Sequence, residues 1–224
     1  MENVLLIGVG GGIGSSIKKK LNSQYKIDCT NKKLLDLSCD RSIEQFLNKN
    51  KNKYNHIIFS AGINKLISFN NITKPIIKKA LDVNIINFLI ILSTLIKNNI
   101  KKKYSTITMI SSLYGIYGRK NRLPYVISKH ALNGACKTLA IELGKQNIRV
   151  NTVSPGFINT RLTKNNLTKK EITEIERKIP LNKLGEPLDI ANTVAFLISK
   201  EAKYISGSDI TVDGGFSSGA FMGV

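Results

Sequence analysis

A short apolar run near the start of the chain, Val4-Leu5-Leu6-Ile7, ends directly in Gly8-Val9-Gly10-Gly11-Gly12-Ile13-Gly14. Consecutive apolar residues without alternation are the pattern of a strand buried on both faces, as in a parallel sheet covered by helices. The glycines permit a tight turn, and Ser15 to Leu21 then takes up a helical pattern. A strand, a glycine turn and a helix in that order present unpaired backbone amides at a helix N-terminus, where a pyrophosphate is attracted. A glycine-rich loop alone is a common turn. Placed after a buried first strand, it is a candidate dinucleotide-binding turn.

The remaining segments keep the alternation. Strands are expected near 26–30, 55–60, 106–110, 149–153 and 209–212, with a compressed element at Leu34-Leu35-Asp36-Leu37. Helices are expected over 42–47, 78–96, 124–144 and 189–200. Alternating strands and helices predict an α/β Rossmann fold, a doubly wound parallel sheet with helices on both faces. No internal repeat and no Pro- or Ser-rich linker divides the chain, so residues 1–224 read as one domain. A polar, lysine-rich excursion with a helical stretch at 169–178 reads as a substrate lid over about 157–186.

Within the helix pattern over 124–144, Tyr125 and Lys129 stand four residues apart, which places both on one helix face. A free tyrosine has a pKa of about 10 and exchanges protons poorly at neutral pH. A nearby positive charge favours the phenolate. Bringing the phenol to neutrality takes on the order of 4 kcal/mol, which one lysine and a bound cationic ring can supply. The pair alone is equally compatible with a surface lysine beside a packed tyrosine.

Composition narrows the partners. Hydrophobic residues make up 42% of the chain and are spread along it, as in a globular protein. No run approaches the ~20 uninterrupted apolar residues of a membrane span. The N-terminus lacks the basic start and cleavage pattern of a signal peptide, and Cys29, Cys39 and Cys136 form no metal-like cluster. The expectation is a cytoplasmic protein with reduced thiols, no metal and no membrane association. The net charge of +19 arises from lysines in nearly every segment, without a basic stripe interleaved with aromatics, and nucleic acid is not expected as a partner. An acidic substrate or carrier suits such a surface. His56 and His130 read as structural.

The spacing of Gly8, Gly12 and Gly14 resembles that of the short-chain dehydrogenase/reductase family, and further motifs extend the resemblance over almost the whole chain. Tyr125 and Lys129 match its catalytic pair, Ser112 its catalytic serine and Asn84 its catalytic asparagine. Asp36-Leu37 resembles the acidic pair that contacts adenine, and Pro155-Gly156 through Ile158 and Thr160 the turn beside the nicotinamide. Leu184-Gly185-Glu186-Pro187 and Thr211-Val212-Asp213-Gly214-Gly215 match C-terminal signatures. The chain departs at Ile7, where threonine is common, and at Phe59-Ser60-Ala61-Gly62, which replaces an Asn-Asn-Ala-Gly turn. These departures imply altered hydrogen bonding at the sheet ends. The short segment before Asp36 implies that a helix is missing.

What the resemblance implies is hydride transfer between a nicotinamide and a carbonyl. Tyr125 would protonate the oxygen, Ser112 would hold it, Lys129 would acidify Tyr125 and bind the ribose, and Asn84 would anchor a proton-relay water. The expected cofactor contacts are Gly8, Gly10, Gly11, Gly12, Ile13 and Gly14 in the turn, Asn31, Lys32, Asp36 and Leu37 at the adenosine end, and Ala61, Gly62, Tyr125, Lys129, Pro155, Gly156, Ile158 and Thr160 at the nicotinamide end. An acidic residue after the second strand would repel a 2′-phosphate; this chain has Thr30-Asn31-Lys32-Lys33 there, which points to NADP(H) over NAD.

The half from Ser111 to Gly215 most resembles 3-oxoacyl-carrier-protein reductases. The cationic loop Gly118-Arg119-Lys120-Asn121-Arg122 instead suits an anionic substrate such as a nucleotide sugar or acidic sugar. A non-catalytic NADP sensor is the remaining alternative. The resemblance also implies a homodimer or homotetramer built on the helices beginning near Lys78 and Pro124.

Overall fold

The computed structural model describes residues 1–50, 52–98 and 104–219. Six parallel strands form one sheet in the order β2-β1-β3-β4-β5-β6: β1 Asn3–Ile7, β2 Lys26–Thr30, β3 His56–Phe59, β4 Ser105–Ile110, β5 Ile148–Pro155 and β6 Asp209–Val212. The helices are α1 Gly12–Leu21, α2 Asp40–Lys49, α3 Lys74–Leu81, α4 Asn87–Asn98, α5 Leu123–Gly144, α6 Arg161–Asn166, α7 Lys169–Lys178 and α8 Pro187–Ile198.

The unbroken apolar run in β1 is explained by its two cores. Leu5 and Ile7 join the cluster with Phe88, Ile91 and Leu132 of α4 and α5, whereas Val4 and Leu6 join Ile17, Ile190 and Val194 of α1 and α8. A strand's period of two therefore sends alternate side chains into different layers, and every one is apolar. At roughly 1.5–3 kcal/mol per buried aliphatic side chain, these inner strands are strongly held.

Strand order reverses beside β1, which pairs with β2 on one flank and β3 on the other. In open α/β sheets the crevice at such a reversal, outside the carboxyl ends of the strands, is where ligands bind. Here the three strand ends are knotted together. Gly8 N and Val9 N donate to Thr30 O at 3.0 and 2.9 Å, and Ser60 N donates to Ile7 O at 2.8 Å. Ile7 is buried and its carbonyl stays engaged. Phe59 stacks on Phe88 with ring centroids 4.1 Å apart, so this position adds core packing at the sheet end.

The segment between β2 and α2 is a turn with no helix. The helix expected over 78–96 begins earlier, at Lys74, where Pro75 sits in its first turn, and is interrupted by a π-helical turn over Asp82–Ile86. Such a turn does not disturb the apolar period enough to show in sequence. The stretch Lys74–Asn98 is long and apolar enough to cross a membrane by length and composition, but half of its apolar window is buried in the protein. The excursion after β5 holds two helices, α6 and α7, the latter opened by a reciprocal Thr168–Glu171 capping box.

Gly8 has φ +99°, and a Cβ there would lie 2.4 Å from Ala61 N. Gly8→Ala is therefore expected to destabilise the protein by more than about 2 kcal/mol, read as a drop in Tm of several degrees. An unchanged Tm would show that the two turns separate easily.

Candidate active site

A cavity of about 440 Å³ opens at the carboxyl ends of β1, β3, β4 and β5. Its floor is the glycine turn from Gly10 to Gly14, which leads into α1. The N-cap of α1 is Gly11, and no side chain caps the helix, so its first amides are open to an anion. A Cβ at Gly10 or Gly11 would meet no atom within 4 Å, whereas one at Gly14 would lie 2.2 Å from Gly8 O. The first two glycines thus face open space suited to a pyrophosphate, and Gly14 lets helix and strand pack closely. The residues present fit a dinucleotide.

One wall carries Ser112, Tyr125 and Lys129, together with Ser60, Ala61 and Gly62 after β3. The facing wall carries Pro155, Gly156, Ile158 and Thr160, followed by α6. Thr160 approaches the turn closely, since a Cβ at Gly12 would lie 3.1 Å from its Cγ2. These expected contacts therefore share one cavity.

Six expected residues lie outside its lining. Gly8 is packed under Ala61. Asn84 is fully buried one layer behind Gly62. Asn31 caps its own turn by accepting from Lys33 N and Leu34 N. Lys32 projects into solvent and pairs with Asp36 at 3.8 Å. The Asp36 carboxylate also accepts from the Ser38 amide and hydroxyl, and the Leu37 side chain belongs to the core while its carbonyl accepts from Asn87.

Asn84 is a brace. Its Oδ1 accepts from Ile63 N at 2.8 Å, and its Nδ2 donates to Ile63 O at 3.0 Å and Ser128 Oγ at 2.9 Å. Ile63 presents one donor and one acceptor, which fixes the amide orientation. Ser128 Oγ donates in turn to Tyr125 O at 2.7 Å. The π turn that holds Asn84 thus connects the β3 turn to the first turn of α5.

Electrostatics differ from the sequence expectation. Burial pushes the Tyr125 phenol up to about 12, with the Ser112 hydrogen bond and the Arg122 charge pulling it down by less. Burial brings the Lys129 ammonium down to about 7. Lys129 Nζ lies 5.4 Å from the Tyr125 ring centroid and donates to Ile110 O at 2.7 Å. Desolvation outweighs the pairing because both groups sit in one low-dielectric wall. The protein's own groups therefore do not acidify Tyr125.

Some cavity residues were not singled out from sequence. Tyr114 stands edge-on to both Tyr125 and Phe157, with centroids 6.3 and 6.5 Å apart, and forms an aromatic side to the cavity. Asn64 also lines it and has a buried Oδ1 without a partner. Of the three charges in the cationic loop, only Arg122 lines this cavity; Arg119 and Lys120 are exposed. Loop residues of this kind carry no periodic signal, so only the fold shows which of them turn inward.

A doubly wound parallel sheet with an anion-binding glycine turn and a Ser-Tyr-Lys wall in one cleft defines a nicotinamide-dependent oxidoreductase. The short-chain dehydrogenase model described as Enoyl-(Acyl carrier protein) reductase matches residues 15–217. The chain is 34% identical over 229 residues to the 3-oxoacyl-[acyl-carrier-protein] reductase FabG of Rickettsia typhi, covering 94% of this chain and 95% of that one. Among solved structures, a short chain dehydrogenase family protein from Francisella tularensis superposes with a TM-score of 0.88 at 29% identity, covering 97% and 99% of the two chains. A 4-hydroxyisoleucine dehydrogenase complexed with NADH gives a TM-score of 0.87 at 29% identity, covering 98% and 100%. The protein belongs to the short-chain dehydrogenase/reductase family and is an oxidoreductase acting on carbonyl and alcohol groups.

The Lys129 assignment predicts a titration near neutrality. With the folded pKa at about 7, the amine is protonated below that pH and neutral above it. Carbon-13 NMR of lysine-labelled, cofactor-free protein is expected to show one Cε resonance with a midpoint near 7 that is absent in Lys129→Met. Midpoints clustering only near the ordinary lysine value of about 10.4 would contradict this.

Proposed function

We propose that the protein is an NADPH-dependent reductase of 3-oxoacyl thioesters, working on substrates presented by an acidic acyl carrier protein. The observation that carries the reading is that Ser112, Tyr125 and Lys129 meet the glycine turn in one cavity. When bound, the reduced nicotinamide supplies a hydride to the substrate carbonyl carbon. Ser112 holds the carbonyl oxygen, with a hydrogen bond that strengthens as negative charge develops there. Tyr125 gives that oxygen its proton, and Lys129, titrating near neutrality, resupplies positive charge beside the phenol. The amides from Gly10 to Gly14 bind the pyrophosphate, while Asn84 holds the β3 turn and α5 in register and anchors a water supplying Lys129.

Preference for NADPH rests on Asn31 and Lys32. Thr30 O binds the amides of Gly8 and Val9, which supports a reading in which the next two residues would reach the adenosine end of a bound dinucleotide. Lys32 would exchange its long, exposed pair with Asp36 for a phosphate. Asp36 and Leu37 would then contact adenine through backbone, since Leu37 is a core residue.

The relatives' names favour the acyl-thioester substrate, and the +19 charge suits an acidic carrier. Residues 1–224 act as one domain in this reading, with 157–186 as a lid, because α6 already lines the cavity. A cytoplasmic location is part of this reading, and the unpaired Cys29, Cys39 and Cys136 are compatible with a reducing compartment. An anionic-sugar substrate is the second reading, favoured by Arg122 on the cavity wall.

Two measurements test the proposal. Tyr125→Phe is expected to lower turnover of acetoacetyl thioesters by about 10²–10⁴-fold while NADPH affinity is nearly kept. The matching fluorescence titration should show NADPH binding more tightly than NADH. Retained turnover removes Tyr125 from the chemistry, and tighter NADH binding removes the 2′-phosphate site. The exposed apolar residues Ile86 and Ile90 on the helix facing solvent, and Ile127 on α5, support assembly as a dimer or tetramer. Light scattering giving only the 24.8 kDa monomer would contradict it.

A further inference from the structure

Arg122 is a buried guanidinium that its surroundings leave partly unsatisfied. It is 5% exposed, its Nη1 has no hydrogen-bond partner, and it belongs to no ion pair among the described residues. Its guanidinium carbon lies 5.9 Å from the centre of the Tyr114 ring. The groups that bear on it electrostatically are Tyr114, Tyr125 and Arg119, none of them a carboxylate. The backbone fixes this placement. Asn121 adopts φ +62°, its carbonyl accepts from Ile67 N at 2.9 Å, and Pro124 sits in the first turn of α5. The chain is thereby turned so that Arg122 enters the cavity while Arg119 and Lys120 stay outside.

An unpaired guanidinium inside a cleft is costly unless a ligand completes it. Its planar fork matches a carboxylate with two parallel hydrogen bonds. We infer that Arg122 receives the free carboxylate of a short oxo or hydroxy acid, giving the protein activity on such acids alongside thioesters. The inference rests on the carbonyl-reductase reading above. Electrons and atoms balance with the same reductant. One hydride from a reduced nicotinamide dinucleotide adds to the ketone carbon, the carbon–oxygen π bond breaks, and the oxygen takes the Tyr125 proton. The products are the hydroxy acid and the oxidised dinucleotide; the carboxylate is unchanged and stays on Arg122.

Acetoacetate and methyl acetoacetate share the reacting ketone and differ in the charge. The ratio of their kcat/KM values is expected to fall by about tenfold to a hundredfold in Arg122→Gln, the range of a lost charge-assisted pair. Arg122→Lys, which keeps the charge but not the fork, should fall between. An unchanged ratio in Arg122→Gln overturns the inference, as does a wild-type protein that reduces acetoacetyl thioester but no free oxo acid. If no carbonyl compound is reduced, the reductase reading fails separately. Calorimetric titration of NADPH-loaded protein with succinate then decides the carboxylate site. Binding weakened at least about tenfold in Arg122→Gln sustains it, and equal or absent binding in the wild type overturns it. Thermal melts that coincide for wild type and variants exclude misfolding as the cause.

Discussion

The contact between the turn after β1 and the turn after β3 is the constraint on which the cleft depends. At Gly8 the backbone approaches Ala61 so closely that no Cβ fits. The amides of Gly8, Val9 and Ser60 are consumed there, binding β1 to β2 and β3. Because those amides are engaged, the ones that follow, from Gly10 to Gly14, are left free to face the cavity. A side chain at Gly8 would push apart the two turns that form the floor and one wall. Binding geometry and sheet closure are therefore two results of one steric fact.

A second connection holds the walls in register. Asn84 reaches Ile63 on one side and Ser128 on the other, and Ser128 reaches the Tyr125 carbonyl. All of these are short bonds, and the one from Asn84 to Ser128 is fully buried, where it is strengthened and its omission is costly. The π turn at Asp82–Ile86 is what turns Asn84 toward them. An irregular helix in this position couples the start of α5 to the turn at the carboxyl end of β3, so that turn does not drift independently of Tyr125.

Much of this was legible in the residues. The apolar run of β1 read correctly as a doubly buried strand because both of its faces are covered by hydrophobic layers. The strand and helix alternation fixed the fold class, since each element's period is set by the face it buries. Less legible were features that do not change the period. The π turn leaves the apolar pattern of Lys74–Asn98 intact, and the six-residue α6 is too short and polar to show one, whereas the helical stretch expected at 169–178 is α7. Tyr114 and Asn64 gave no signal because a loop residue's direction depends on the tertiary fold. The pairing of Tyr125 with Lys129 was visible from its spacing, but its electrostatics were not. Spacing reports proximity, whereas burial decides which way each proton equilibrium moves.

That distinction also separates the two cationic residues of the cleft. Burial shifts a lysine readily, and Lys129 is brought to about 7, where it exchanges protons at neutral pH. Burial also pulls the Arg122 guanidinium down, but an arginine starts so much higher that it keeps its charge. Lys129 stands beside the Tyr125 phenol, and Arg122 stands three residues before Tyr125 at the N-cap of α5, facing the aromatic side of the cavity. Residue type thus separates a group that cycles its proton from one that holds a constant charge, and the deeper burial of Lys129 adds to the difference. The wall built by the start of α5 therefore combines a titrating cation beside the Tyr125 phenol with a permanent one on the aromatic side of the cavity, the arrangement that the proposed reaction would use.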